Sequence, residues 1–158
     1  MFNLKAEFYL KIIFLFSFIA LISAFFIEYI LGHQPCNLCL IERIPYGLSI
    51  MIIMAIFLIR KNQKFLVMLL ILTFIFSFAI SFYHFGIEQG FFQESSVCGV
   101  KSSTEIVTKE DLLKQLSEKT ISCKDVTFRI FGLSLTSINI VISLLFIITL
   151  LKIFKKYE

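Results

Sequence analysis

The chain has 158 residues, of which 58% are hydrophobic and 16% charged, with 20 Phe, no Trp and a formal net charge of +4. Soluble domains carry about 25% charged residues, so this composition, with a mean hydropathy of +0.91, excludes a water-soluble globule and implies an integral membrane protein. A bilayer core of ~30 Å takes about 20 residues of helix, which leaves room for a few crossings and one compact membrane domain over residues 1–158.

The first crossing is expected over about residues 8–31, around the uncharged run from Ile12 to Ile27. A charged start before an apolar run also describes a removable signal peptide. This run is longer than an h-region of about 7–15 residues and no A-x-A-like site follows, so retention is expected. The gap that follows, about residues 32–39, holds Cys36 and Cys39. A Cys-x-x-Cys can close a small ring, and it lowers one thiol's pKa where helix-terminal amides or a cation stabilise the thiolate. A static disulfide or half of a zinc site uses the same spacing.

The second crossing is expected over about residues 40–59. Its uncharged stretch, Ile44 to Ile59, has only 16 residues and reaches about 24 Å, so it must borrow residues from Cys39 to Arg43. Asn37 is the candidate N-cap, with Leu38 and Cys39 in the first turn. Pro45 disfavours helical geometry at Ile44, which leaves a kink or a restart near Arg43 open alongside a continuous helix. On a helix, Arg43 lies four residues beyond Cys39 and on its face, with its charge at the membrane surface. Glu28 and Glu42 read as solvated interfacial groups or as partners of Arg43.

The third crossing, 65–87, contains one ionisable group, His84. An ionisable residue at that depth is a functional candidate, although a hydrogen-bonded packing histidine fits equally. The second large gap, about 88–129, carries Cys98 and Cys123, 25 positions apart. A disulfide between them would staple the loop by about 3 kcal/mol in the chain-entropy model. Between them Thr108 and Asp111 form a capping-box pattern ahead of Leu112, Leu113 and Leu116, predicting a short amphipathic helix along the membrane surface. The fourth crossing is expected over 130–151, which carries no charge.

Orientation follows from the basic residues of the short loops. Lys5, Lys11, Arg60, Lys61, Lys64, Lys152, Lys155 and Lys156 gather on one side against Glu7 and Glu158. The other side holds Arg43 and, from Gly86 to Arg129, six basic residues against seven acidic ones. Both termini are therefore expected in the cytoplasm and all four cysteines outside it. The net charge reads as this orientation signal, and no motif supports nucleic-acid binding.

The run Cys36-Asn37-Leu38-Cys39-Leu40-Ile41-Glu42-Arg43, the stretch Tyr83 to Gly90 ahead of Cys98, and Phe131 to Leu135 after Cys123 resemble the disulfide bond formation protein B (DsbB) family over nearly the whole chain. The resemblance implies an all-α membrane protein, a four-helix transmembrane bundle of the bacterial inner membrane. It also implies a protein-dithiol:quinone oxidoreductase that reoxidises a periplasmic DsbA-like thioredoxin-fold protein, with ubiquinone or menaquinone as cofactor. By motif match, Cys98 would take the mixed disulfide and Cys123 would resolve it or relay to Cys36. Cys39 would meet the quinone as a thiolate, supported by Arg43, with His84 a further quinone-site candidate. DsbA-type oxidases are known to stand near about −120 mV, beyond a glutathione-like poise, so their reoxidation requires an acceptor of higher potential.

Three alternatives compete with this reading. A related reductase could serve a different thiol partner. A four-cysteine zinc site lacks its second close knuckle. A transporter or structural protein stapled by inert disulfides would, if a transporter, carry buried charges within its spans.

Overall fold

The computed structural model describes residues 4–59, 62–93, 98, 123–124, 129–130 and 133–155. Among them are four helices long and apolar enough to cross a membrane. They are α1 (Leu4–Tyr29), α2 (Asn37–Leu58), α3 (Gln63–Glu88) and α4 (Leu135–Lys155), of 26, 22, 26 and 21 residues. At 1.5 Å per residue even α4 reaches about 32 Å, enough for the ~30 Å hydrocarbon layer. The protein is an all-α, multi-pass four-helix membrane bundle. The amphipathic helix expected after Thr108 lies outside the described residues.

Three local details differ from the sequence expectations or decide between them. The N-cap of α2 is Cys36 rather than Asn37. Cys36 is extended (φ −72°, ψ 166°) and its Sγ accepts the backbone N–H of Cys39, so sulfur does what the Asn37 side chain was expected to do. Pro45 does not interrupt α2, which runs continuously from Asn37 to Leu58. Because Pro45 sits within the third turn, it forfeits its bond toward Ile41, and tertiary packing of the buried Pro45 and Tyr46 holds the helix together. Finally, α4 begins at Leu135. Arg129–Ile130 (β1) pairs antiparallel with Leu133–Ser134 (β2), and the Ser134 hydroxyl accepts the N–H of Ser137, an N-cap pattern that starts the helix there.

The bundle is apolar outside and mixed inside. Leu15, Phe18, Met51, Phe76 and Leu145 point outward and exposed, as suits side chains bathed in lipid. One end of the interior is a dry cluster of Leu10, Ile13, Ile53, Ile56, Val67, Leu70, Phe74 and Leu150. Phe146 packs edge-on against Phe74 and Phe16, at 5.1 and 5.4 Å. Further along, small hydroxyl residues meet where helices cross. Ser49 donates to Ser17 at 3.0 Å and Ser143 to Ser77 at 3.2 Å, all four fully buried. Lipid offers no hydrophobic drive for helix association, so close approach at small residues and interhelical hydrogen bonds supply it. Helix α3 packs most extensively on α4 and α2, while α1 leans on α2 and touches α4 only sparsely.

Candidate functional site

The end of the bundle opposite the dry cluster is built by two chain reversals. After α1, Gly32 adopts φ +70°, a left-handed turn that glycine takes without a Cβ penalty. The extended Gln34–Cys36 segment then delivers Cys36 to the head of α2. After α3, Gly90 at φ +77° turns the chain back, with the Phe91 N–H donating to the Gly86 carbonyl at 2.8 Å. Both reversals converge on sulfur.

Cys36 and Cys39 are thiols with their Sγ atoms 3.0 Å apart. Cys98 and Cys123 form a disulfide. Cys36, Cys98 and Cys123 are all buried in one cluster with Leu38 and Ile87, and Cys39, Ile41 and Tyr83 pack against it. The two cysteine pairs, which the sequence separates by some sixty residues or more, are thus neighbours.

His84 projects from α3 into this cluster. Its Nε2 lies 3.6 Å from Cys36 Sγ, and its Nδ1 lies 3.0 Å from Glu42 Oε1. The carboxylate can only accept, so Nδ1 carries a hydrogen, and Nε2 faces Cys36 Sγ, donating to the thiolate when the ring is protonated and offering a lone pair when it is neutral. Asn139 of α4 completes the assembly. Its amide nitrogen donates to Glu42 Oε2 at 3.3 Å and to Ser81 Oγ at 2.7 Å, while its oxygen accepts the Tyr46 hydroxyl. A polar chain therefore runs Cys36–His84–Glu42–Asn139–Tyr46 through three helices. Every link is buried, and each partner meets a desolvation cost that the others offset.

Arg43 is engaged elsewhere. It forms an ion pair with Glu28 and lies over the Phe25 ring at 5.3 Å. Of the two acids considered as its partners, Glu28 takes the role and Glu42 is paired with His84 instead. Glu88, one turn beyond His84, places Oε1 3.9 Å from Nε2. Its Oε2 has no hydrogen-bond partner among the described residues.

The Cys36 thiol is pulled down to about 4. The chief cause is the hydrogen bond from the Cys39 thiol, followed by those from His84 and the Cys39 amide, which together outweigh the opposing effect of burial. These contacts favour negative charge on Cys36 within the reduced pair. A cavity of about 270 Å³ opens beside these groups. Ala20, Leu21, Ala24 and Ile27 of α1 form an apolar wall, and Cys36, Cys39, Cys123, Arg43 and His84 line its polar side.

All six residues singled out from the sequence thus gather at one end of the bundle. Sequence reasoning missed Glu42, Glu88, Tyr46 and Asn139 as members of the site. The available signal was the cost of such groups inside a membrane, which turns them toward the bundle interior and toward one another.

Four membrane-crossing helices that bring two cysteine pairs together at one end, one bonded and one reduced, define a membrane thiol–disulfide protein. The chain belongs to the disulfide bond formation protein DsbB family, which it matches over residues 6–153. It is also similar to Uncharacterized protein RP370 of Rickettsia prowazekii (strain Madrid E), with 32% identity over 136 residues, covering 85% of this chain and 79% of the relative. No solved structure matches. It is accordingly a membrane protein of disulfide formation.

Proposed function

We propose that the protein is a protein-dithiol:quinone oxidoreductase that reoxidises a DsbA-like thioredoxin-fold partner outside the cytoplasm and delivers the electrons to a membrane quinone. One observation carries the reading: Cys36, Cys39 and Cys123, sulfurs from both pairs, share the wall of a single cavity whose opposite face is apolar membrane helix.

The exchange balances as follows. A thiolate of the partner attacks Cys98, breaking the Cys98–Cys123 bond, forming a mixed disulfide and freeing Cys123. The second partner thiol resolves the mixed disulfide, so the partner leaves oxidised and Cys98 and Cys123 become thiols. These reduce a Cys36–Cys39 disulfide and restore their own bond, leaving two electrons and two protons on the inner pair.

The cavity suits the cofactor that the family implies. About 270 Å³ lies near the small end of ligand pockets and takes one ring, with apolar walls for its faces and Arg43 and His84 as donors for carbonyl oxygens. A quinone supplies a two-electron, two-proton acceptor. His84, with Nδ1 held by Glu42, can accept a proton at Nε2 from the thiols and pass it on, and Cys36 holds negative charge at the helix N-terminus. Arg43, solvated on one side and stacked on Phe25 on the other, fixes positive charge at the cavity mouth.

In orientation, the loops with the cysteines face the periplasm and both termini the cytoplasm of a bacterial inner membrane. Lys152 and Lys155 close α4 at the end away from the sulfurs, where Lys64 Nζ lies over the Phe154 ring at 5.5 Å, and short basic segments stay on the cytoplasmic side.

The test is quinone reduction by the purified chain with a reduced thioredoxin-fold partner. Cys39→Ser should abolish turnover, and Cys98→Ala should abolish the trapped mixed disulfide while Cys36 and Cys39 still oxidise. Turnover retained by Cys39→Ser, or equally strong capture of partner through Cys36, overturns the assignment.

A further inference from the structure

The geometry points to a second use of the inner pair: in its reduced state it is a binding site for a soft divalent cation, with Zn2+ as the natural probe, held by Cys36 Sγ, Cys39 Sγ, His84 Nε2 and the Glu88 carboxylate. This differs from a four-cysteine zinc site, which the Cys98–Cys123 bond rules out in this state.

In a tetrahedral site with bonds of about 2.3 Å to sulfur and about 2.0–2.1 Å to nitrogen or oxygen, neighbouring donors stand roughly 3.4–3.8 Å apart. Here the two sulfurs are 3.0 Å apart, Cys36 Sγ is 3.6 Å from His84 Nε2, and Glu88 Oε1 is 3.9 Å from the same nitrogen. The cysteine and histidine donor atoms all lie within 4.8 Å of one another. To close around a cation the two sulfurs part by about 0.8 Å from their 3.0 Å separation, and the Glu88 carboxylate, which stands outside that 4.8 Å set, swings from its place beside Nε2 toward the sulfurs.

Metal-ligating histidines almost always donate their other ring N–H to a carboxylate or carbonyl, which fixes the tautomer and raises the basicity of the ligating nitrogen. Glu42 does this to His84 Nδ1 at 3.0 Å, and Asn139 in turn holds Glu42. The nitrogen left over faces two sulfurs.

The Glu88 side chain is only 6% exposed, lines the same cavity, and its Oε2 has no partner among the described residues. A carboxylate oxygen buried without a donor carries a desolvation cost, and a cation bound at Nε2 would remove it. Thiolate and imidazole donors select Zn2+ and similar soft cations over Mg2+ or Ca2+. Binding displaces the thiol protons, so a cation and two thiols give a dithiolate complex and release protons to solvent.

The consequence is a brake. Sulfurs that hold a cation cannot form the Cys36–Cys39 disulfide, so occupancy keeps the inner pair reduced. That consequence rests on the redox role proposed above, whereas the binding itself does not, and the two are measured separately.

The experiment uses the full chain in detergent, reduced until a count of two free thiols shows the inner pair open and the Cys98–Cys123 bond kept, then freed of reductant, with Zn2+ titrated against a chromophoric chelator and no quinone or partner present. One equivalent should bind to the reduced protein, and binding should fall at least about a hundredfold when the inner pair is oxidised. His84→Gln and Glu88→Gln should each weaken it, and Glu42→Gln, acting through His84, should cost about 10–100-fold. Zinc-edge X-ray absorption of the unaltered chain should count two sulfur and two nitrogen or oxygen ligands, which keeps the test independent of whether a variant folds. Equal affinity in both redox states, wild-type affinity in both His84→Gln and Glu88→Gln, or four sulfur ligands would overturn the site. Failure of quinone turnover in the earlier assay would leave these results untouched.

Discussion

Replacing Asn139 with alanine isolates the polar chain that ties the sulfur end of the bundle together. Asn139 makes hydrogen bonds to three residues on other helices, accepting from Tyr46 and donating to Ser81 and Glu42. Interhelical hydrogen bonds in membranes average about 0.6 kcal/mol and reach about 1.7, so three of them set a floor of about 2 kcal/mol and a ceiling of about 5. The substitution also leaves a buried carboxylate short of a donor, which costs more than losing both partners of a neutral pair. The expected loss is therefore about 3–4 kcal/mol. Unfolding in mixed micelles as the fraction of denaturing detergent rises, followed by far-ultraviolet circular dichroism, measures it. Tyr46→Phe should show coupling with Asn139→Ala in a double-mutant cycle, because the two changes remove one shared bond. A loss within 0.5 kcal/mol of wild type, or strict additivity of the pair, refutes the idea that this network holds the helices.

Alkylation of reduced Cys36, resolved by peptide mass spectrometry, should hold a nearly constant rate from about pH 5 to 8, since its thiol is pulled down to about 4; an ordinary thiol near about 8.5 would gain roughly tenfold per pH unit. Cys39→Ala, which removes the chief cause, should restore that climb. Because the folded value lies below the unfolded one, the stability this thiolate contributes is complete above pH 9 and drains away as pH falls toward 4, so denaturation curves of the reduced protein should steepen their loss over that window. Arg43→Met should cost at most about 1 kcal/mol of stability, the worth of a partly exposed pair. It should nevertheless raise the quinone KM about tenfold or more, the worth of a hydrogen bond from a charged group; an unchanged KM in steady-state kinetics removes Arg43 from the quinone site. Ser49→Leu, forced into the crossing with Ser17, should cost about 1–3 kcal/mol by overpacking, read in the same micelle titration.

The spans were legible because each is an uncharged run bounded by Lys, Arg or Glu, and the sulfur chemistry was legible because Cys36 and Cys39 sit so close in sequence. What could not be read was pairing across helices. Glu42 meets His84 over 42 positions and Asn139 over 97, and nothing local in the chain distinguishes Glu42 from Glu28 as the partner of Arg43. The start of α4 was misjudged because residues 130–134 are as apolar as the helix that follows, and only Ser134 as a cap marks the change. Yet a partial signal existed: Ser77 and Ser81 on α3, and Asn139 and Ser143 on α4, are each spaced by four. Such spacing puts each pair on one face, and these faces meet.

The loose seam between α1 and α4, both of which flank the cavity, changes how a lipophilic molecule reaches the sulfurs. For the quinone proposed above, arrival through that gap would be lateral diffusion within the bilayer, so the concentration that matters would be molecules per lipid rather than per litre. Apparent affinities measured in detergent should therefore weaken as micelles are added at a fixed amount of quinone, through surface dilution alone.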